Sequence, residues 1–202
     1  LTSALKPYSS SISLTTRHQY SLNGVYETSI TDPMGLTTSY TYNALGLLAS
    51  TEDVRGNITT YKYDGLGRLK KTDYPDGTYA SISRAWSTIA GGVYSLTKET
   101  SGEPTVTVYY DSRELELRTS QIRFDGSPLF VDNVYDNAGR LQKVSLPFKG
   151  SVPSVWDIYK YDVYGRLEQV THASGRKEAY AYSGASVTET KNGISIKRTY
   201  NA

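Results

Sequence analysis

Residues 61–69 read Tyr61-Lys62-Tyr63-Asp64-Gly65-Leu66-Gly67-Arg68-Leu69, and the chain says nearly the same thing again and again. Tyr40-Thr41-Tyr42-Asn43-Ala44-Leu45-Gly46-Leu47-Leu48 precedes it by 21 residues. Val134-Tyr135-Asp136-Asn137-Ala138-Gly139-Arg140-Leu141 and Tyr159-Lys160-Tyr161-Asp162-Val163-Tyr164-Gly165-Arg166-Leu167 follow later. The 21-residue offset also relates Gly35 to Gly56, Asp32 to Asp53 and Tyr161 to Tyr182. Stretched spacings of 25 and 26 residues carry Tyr110 to Tyr135 and Tyr135 to Tyr161. Tyr20-Ser21-Leu22-Asn23-Gly24 keeps its glycine in phase 22 residues before the Tyr42 copy. A fixed period in this range marks a repeat architecture, in which each unit leans on its neighbours.

Turn chemistry predicts what one unit does. Asp or Asn opening a four-residue turn caps the backbone two residues on, and Gly in the fourth place takes the left-handed conformation of a bulged hairpin. A second set of turns ends in x-Gly, at Asp76-Gly77, Asp125-Gly126, Asn192-Gly193 and Ser174-Gly175, and is expected to differ from the first. Strand, turn, strand, turn at this spacing gives antiparallel hairpins in a meander. The pairs Tyr40/Tyr42, Tyr61/Tyr63, Tyr159/Tyr161 and Tyr180/Tyr182 are two residues apart, so each pair faces one side of a sheet. With 19 Tyr against 3 Phe, the chain favours aromatic bulk that keeps a polar end. The expected fold is all-β, with the units stacked because a lone hairpin is marginal in water. Tyr42, Gly46, Tyr63, Asp64, Gly67, Arg68 and Leu69, with their counterparts, are expected to be structural repeat residues.

Some copies are worn. Asp111-Ser112-Arg113-Glu114 has Glu where Gly is expected, with Leu115 and Leu117 out of phase, and Ser183-Gly184 places its Gly early. Bulges or irregular loops are expected there, and a longer turn over Ser87–Gly92 between strands at Ser81–Trp86 and Val93–Thr100.

Laid out this way, the chain resembles the YD-repeat or RHS-repeat family. The match is complete across Gly56-Asn57-Ile58-Thr59-Thr60-Tyr61-Lys62-Tyr63-Asp64-Gly65-Leu66-Gly67-Arg68-Leu69. The likeness runs from about Tyr20 to Ala202 and is weakest between Thr78 and Thr105. The resemblance implies a hairpin strip that spirals into a hollow β-shell, such as encloses a C-terminal toxin domain in bacterial RHS and insecticidal toxin complex proteins. In the teneurins a similar shell is an adhesion scaffold. On this reading residues 1–202 are a single repeat array, roughly eight or nine units of a longer shell, with Tyr200-Asn201-Ala202 opening a further copy. Its implied partners are flanking repeats of the same polypeptide and the enclosed C-terminal domain, in a secreted or cell-surface bacterial protein.

Composition narrows the field. No run approaches the roughly 20 apolar residues of a membrane span, and Leu1–Ser10 lacks the apolar core of a signal peptide. A net charge of +2 with interspersed signs argues against a nucleic-acid surface. The chain has no cysteine, which removes disulfides and thiolate metal sites.

Candidate chemistry is sparse. His18 and His172 stand far apart in register and read as strand or turn surface residues, so no metal and no cofactor is expected. No Gly-x-Ser-x-Gly elbow is present, and the recurring Asp64, Asp136 and Asp162 read as caps rather than catalytic acids. Asp32-Pro33-Met34-Gly35-Leu36 resembles a segment tied to self-cleavage at the end of RHS cores. Its 21-residue alignment with Asp53-Val54-Arg55-Gly56 favours a linking turn instead. Asn57-Ile58-Thr59 fits a glycosylation acceptor, a pattern common by chance. Arg68, Arg140 and Arg166 are expected to pair with neighbouring carboxylates. The function expected is a non-enzymatic casing segment. The alternative is an adhesion or carbohydrate-binding module, since exposed tyrosines suit sugar stacking. A piece cut from a longer strip is also expected to associate edge to edge, or to be capped by Leu1–Ser11.

Overall fold

The computed structural model describes residues 15–200; the expected cap at Leu1–Ser11 and the closing Asn201-Ala202 lie outside them. Among the described residues there is no helix, and seventeen strands account for the regular structure. The chain divides into two compact units, Leu1–Ala80 and Ser81–Ala202. The first holds β1 (Arg17–Tyr20), β2 (Glu27–Thr31), β3 (Thr37–Tyr42), β4 (Leu48–Glu52), β5 (Ile58–Tyr63) and β6 (Leu69–Asp73). The boundary falls inside β7 (Tyr79–Trp86). The second continues with β8 (Tyr94–Thr100), β9 (Val106–Tyr110), β10 (Glu116–Ile122), β11 (Pro128–Tyr135) and β12 (Leu141–Ser145). It closes with β13 (Trp156–Tyr161), β14 (Leu167–Thr171), β15 (Lys177–Ser183), β16 (Ser186–Lys191) and β17 (Ile194–Thr199). From β1 to β6 and again from β8 to β17, each strand pairs antiparallel with the next, which is the meander the turn signals predict.

Alternation along the strands gives the sheet two unlike faces. In the first unit Tyr40 lies opposite Thr51 and Tyr61 opposite Thr72, so tyrosines and threonines share one side. The other side carries Thr41 opposite Ser50, Thr60 opposite Asp73 and Lys62 opposite Lys71. On that polar side Asp73 is gripped by Lys62 at 2.9 Å and Lys71 at 2.6 Å.

The core is thin. Among the described residues the one buried hydrophobic side chain is Val170, while the buried polar residues are mostly serines and threonines at strand crossings. The tyrosines are half-buried or exposed rather than enclosed. Compared with the full burial a folded layer pair provides, each ring yields only part of its roughly 150–250 Å². Cohesion therefore rests on ladder hydrogen bonds, on ring contacts such as Tyr26 with Tyr42 at 4.8 Å and Tyr94 with Tyr110 at 5.0 Å, and on the turns.

Candidate functional site

The repeated turn is the unit from which everything else is built. In the Asp64 copy, the Asp64 amide donates to the Arg68 carbonyl at 2.9 Å and the Gly67 amide to the Asp64 carbonyl at 3.0 Å. Asp64 Oδ1 accepts from the amides of Leu66 (3.0 Å) and Arg68 (2.9 Å), and Oδ2 accepts from Arg68 Nε at 2.7 Å. One carboxylate thus satisfies two backbone donors and neutralises the arginine four residues on. Asp136 with Arg140 and Asp162 with Arg166 repeat the geometry at the same 2.7 Å. Asn43 makes the two amide bonds to Leu45 and Leu47, with leucine in the arginine's place. The amide bonds hold the Asp64 and Asp136 carboxyls below their ordinary value, the backbone amide at the arginine position contributing most. At Asp162 desolvation pushes upward, and the bonds from Arg166 and Tyr164 outweigh it.

In five copies the motif tyrosine locks one repeat to the one before it, whereas in the Asp111 copy the Tyr110 hydroxyl donates to Glu116 Oε1 at 3.2 Å. Tyr63 Oη donates to the Leu48 carbonyl at 2.8 Å, Tyr42 to Glu27 at 2.9 Å, Tyr161 to Leu141 at 2.9 Å and Tyr182 to Leu167 at 2.8 Å. Tyr135 does the same to Glu116 at 3.1 Å. Every acceptor sits where the motif's final leucine stands in the preceding copy. The arginine of that copy lies over the tyrosine ring, Arg140 over Tyr161 at 4.8 Å and Arg166 over Tyr182 at 4.3 Å. Where leucine replaces arginine it packs instead under the next copy's glycine, Leu47 beneath Gly67 and Leu115 beneath Gly139.

Two expectations about the turns need correction. The Asp76-Gly77 and Asp125-Gly126 turns are not a second type. They show the same closure, Tyr74 to Thr78 and Arg123 to Ser127, with only the glycine at positive φ. The reason is that Asp76 and Asp125 stay in the ordinary region and bond their side chains to Thr78 and Ser127. Asn192-Gly193 alone among the four has both residues at positive φ, 51° and 79°. The worn Asp111 copy does carry the expected bulge, and it is the same bulge the intact copies have. Asp111 caps Arg113 and Leu115, Glu114 takes the glycine's conformation at φ 63°, and the strand shifts register at the same place as in the intact copies. Ladder and cap outweigh the steric cost of a side chain there. Finally, Ser183-Gly184-Ala185-Ser186 is a tight two-residue hairpin rather than a loose loop, with Ser183 opposite Ser186. The longer turn after Trp86 is present, closed by the Ser87 amide on the Val93 carbonyl. The Asp32 segment is a capped turn of the common kind.

Two clusters had no signal in the sequence. His172 is not a bare surface residue: Nδ1 lies 3.1 Å from Asp157 Oδ2 and Nε2 3.1 Å from Glu178 Oε1. Glu178 also meets Arg176 at 3.0 Å, Lys191 at 3.4 Å and the Tyr180 hydroxyl at 3.1 Å. Burial pushes the Glu178 carboxyl up, but these partners outweigh it and hold it below its ordinary value. With both carboxylate oxygens occupied by cations and no nucleophile in the group, this is an ion-pair network. Among the described residues no cluster of His, Asp and Glu has the geometry to hold a metal ion. The second cluster is Arg118, clamped on Asp132 at 2.5 and 2.6 Å and flanked by the rings of Phe130 (5.1 Å) and Phe148 (5.5 Å). Phe148 arrives there because its backbone bridges to Phe130 past the end of β12. His18 contacts Glu27.

Hairpin upon hairpin, with five motif tyrosines bonded back onto the preceding copy, defines a β-hairpin repeat protein. Residues 27–58 and 42–79 match the family described as RHS Repeat, so that stretch of the chain carries RHS repeats. No curated protein matches the sequence. Among solved structures, a chain of the crystal structure of TcdB2-TccC3 superposes with a TM-score of 0.66 at 15% identity over 87% of this chain. The present chain spans 12% of that chain's length. The crystal structure of TcdB2-TccC3-Cdc42 matches more loosely, with a TM-score of 0.40 at 13% identity over 92% of this chain and 12% of the other. A Photorhabdus luminescens Tc holotoxin pore structure gives 0.38 at 15% identity over 93% and 14%. The likeness to TcdB2-TccC3 is one of fold.

Proposed function

We propose that the whole chain is one repeat array serving as a non-enzymatic wall segment of a large secreted or surface-delivered bacterial RHS-type toxin. The wall joins flanking repeats of its own polypeptide and encloses a C-terminal toxin domain. One observation carries the reading: in five motifs, drawn from both units, the tyrosine hydroxyl is bonded to the preceding motif's backbone. Tyrosines used in this way tie wall elements together. They are poorly placed for sugar stacking, which needs an open ring face: Arg140 lies over Tyr161 and Arg166 over Tyr182. Asp, Tyr and Arg likewise recur in the same structural roles, whereas an active site gathers unlike groups in one pocket.

The test uses the full-length gene product containing this chain. Electron micrographs are expected to show a hollow particle, and limited proteolysis to leave an enclosed polypeptide intact until the particle is denatured. A solid particle, or an enclosed segment cut as fast as an exposed one, would overturn the casing. Turnover in a hydrolase and glycosidase panel that is abolished by one substitution in residues 85–103 or 145–157 would overturn the non-enzymatic part.

A further inference from the structure

At the mouth of the turn between β14 and β15, one ring nitrogen stands between a hydrogen-bond donor and an acceptor. The ring is that of His172, whose amide closes the turn on the Arg176 carbonyl at 2.8 Å. Charged and titratable groups reach it from every side. β13 brings Asp157 and, next on the same face, Tyr159. The turn brings Arg176, and β15 brings Glu178 and Tyr180. Behind Glu178, β16 adds Lys191 and Glu189, and β17 sets Arg198 on Glu189. β12 places the uncharged Val144 opposite Asp157.

Nδ1 faces Asp157 Oδ2 at 3.1 Å, and the Ala173 amide fixes that carboxylate by donating to Oδ1 at 2.7 Å. An ionised carboxylate only accepts, so Nδ1 carries a proton in both charge states of the ring. Nε2 lies 3.1 Å from Glu178 Oε1, an acceptor, and 3.1 Å from Arg176 Nη2, a donor that never gives up its protons. The two demands cannot be met at once. A neutral ring accepts from Arg176, and the same Nη2, 3.0 Å from Oε1, holds the Glu178 carboxylate. A ring with a second proton donates to Oε1 itself and confronts Arg176 with a like charge.

Of the groups around Nε2, Arg176 is the one free to leave. Glu178 is buried, and its other oxygen accepts from the Tyr180 hydroxyl at 3.1 Å and meets Lys191 at 3.4 Å. The Arg176 side chain rises from a turn and is half in water. Imidazole is the side chain that ordinarily changes charge between about pH 8 and about pH 5. We infer that this turn is a proton-operated switch, in which His172 on taking up a proton replaces Arg176 on Glu178 and releases the guanidinium into solvent. One cation takes the place of another, so the buried carboxylate stays paired throughout while the turn presents a free positive charge.

The chain holds two histidines, so nitrogen NMR of the imidazoles distinguishes them readily. At about pH 8 His172 should show a protonated Nδ1 and a bare Nε2. On acidification to about pH 5 the Arg176 side-chain and Glu178 carboxyl signals should move with the imidazole, at a shared midpoint. Exchange of the Arg176 Nε proton with water should speed up several-fold across the same step. His18, which contacts Glu27, should titrate without moving those signals. In His172→Gln the Arg176 and Glu178 steps should vanish. Arg176→Gln removes the competing cation and leaves the ring in place, so the protonated fraction of His172 at about pH 7 should rise several-fold. A neutral ring protonated on Nε2, Arg176 signals that ignore His172, or an Arg176 step that survives in His172→Gln overturns the switch. Should His172→Gln fail to fold, Arg176→Gln decides: an unchanged protonated fraction overturns it as well.

Discussion

Glu114 is the residue most at odds with its surroundings. It occupies the left-handed backbone position that glycine fills in the other capped turns, at φ 63°, and its side chain is exposed. Left-handed backbone costs a residue with a Cβ about 1–2 kcal/mol. Glu114→Gly is therefore expected to stabilise the second unit by about 1 kcal/mol after the glycine's extra chain entropy is subtracted; chemical denaturation of parent and variant checks this. The reverse change separates two glycines. At Gly67 (φ 77°) a Cβ would meet Leu47 Cδ1 at an ordinary 3.5 Å, so Gly67→Ala should cost about 1–2 kcal/mol from backbone strain alone. At Gly46 (φ 75°) a Cβ would collide with Tyr26 Oη, and the ring cannot keep its tilted contact with Tyr42. Gly46→Ala is expected to cost measurably more than Gly67→Ala, and equal losses would show that Tyr26 moves freely.

At the scale of the hairpin, cap, arginine and tyrosine act as one joint between successive copies. Tyr182→Phe keeps the ring beneath Arg166 but removes the hydroxyl bond to the Leu167 carbonyl, a change of about 0.5–1.5 kcal/mol. The loss should appear as faster amide exchange in β14 and β15, with β8 and β9 unchanged. The hairpins themselves were legible from the sequence because Asp-x-x-Gly and Tyr-x-Tyr encode local geometry. The bulge of the Asp111 copy was legible too, and five backbone and side-chain bonds hold that turn without the glycine. Asp76-Gly77 and Asp125-Gly126 were assigned a separate turn type because the dipeptide alone does not reveal where the turn begins. The His172 network and the Arg118 clamp escaped notice for another reason. Asp157, His172 and Glu178 meet only across three strands, and Phe148 reaches Arg118 through a single bridge beyond β12.

For the molecule as a whole, carboxylates decide the response to pH. Asp53, Asp64, Asp111, Asp136 and Asp162 all lie below the ordinary aspartate value near 3.8, and Glu178 and Glu189 below the glutamate value near 4.5. For Asp53 the Asn57 side chain is the main cause, for Asp111 the Leu115 amide, and for Glu189 the Lys191 ammonium. A carboxyl whose pKa is lower folded than unfolded binds fewer protons in the native state, so its stabilisation is complete above the unfolded value. It is lost as pH falls through the folded one. Melting temperature is therefore expected to hold steady from pH 7 to about 5 and to fall steeply below about 4. Replacing Asp64, Asp136 and Asp162 together with Asn should flatten that fall.

The scarcity of buried apolar side chains, Val170 being the one among the described residues, has a mechanical consequence. A protein with a central core resists traction until the core gives way at once. A meander joined strand to strand, pulled at its two ends, loads each ladder one bond pair at a time, so it peels like a zip. Force spectroscopy on this chain should record a long, low, nearly level trace with steps of one hairpin, and refolding on slack should retrace it.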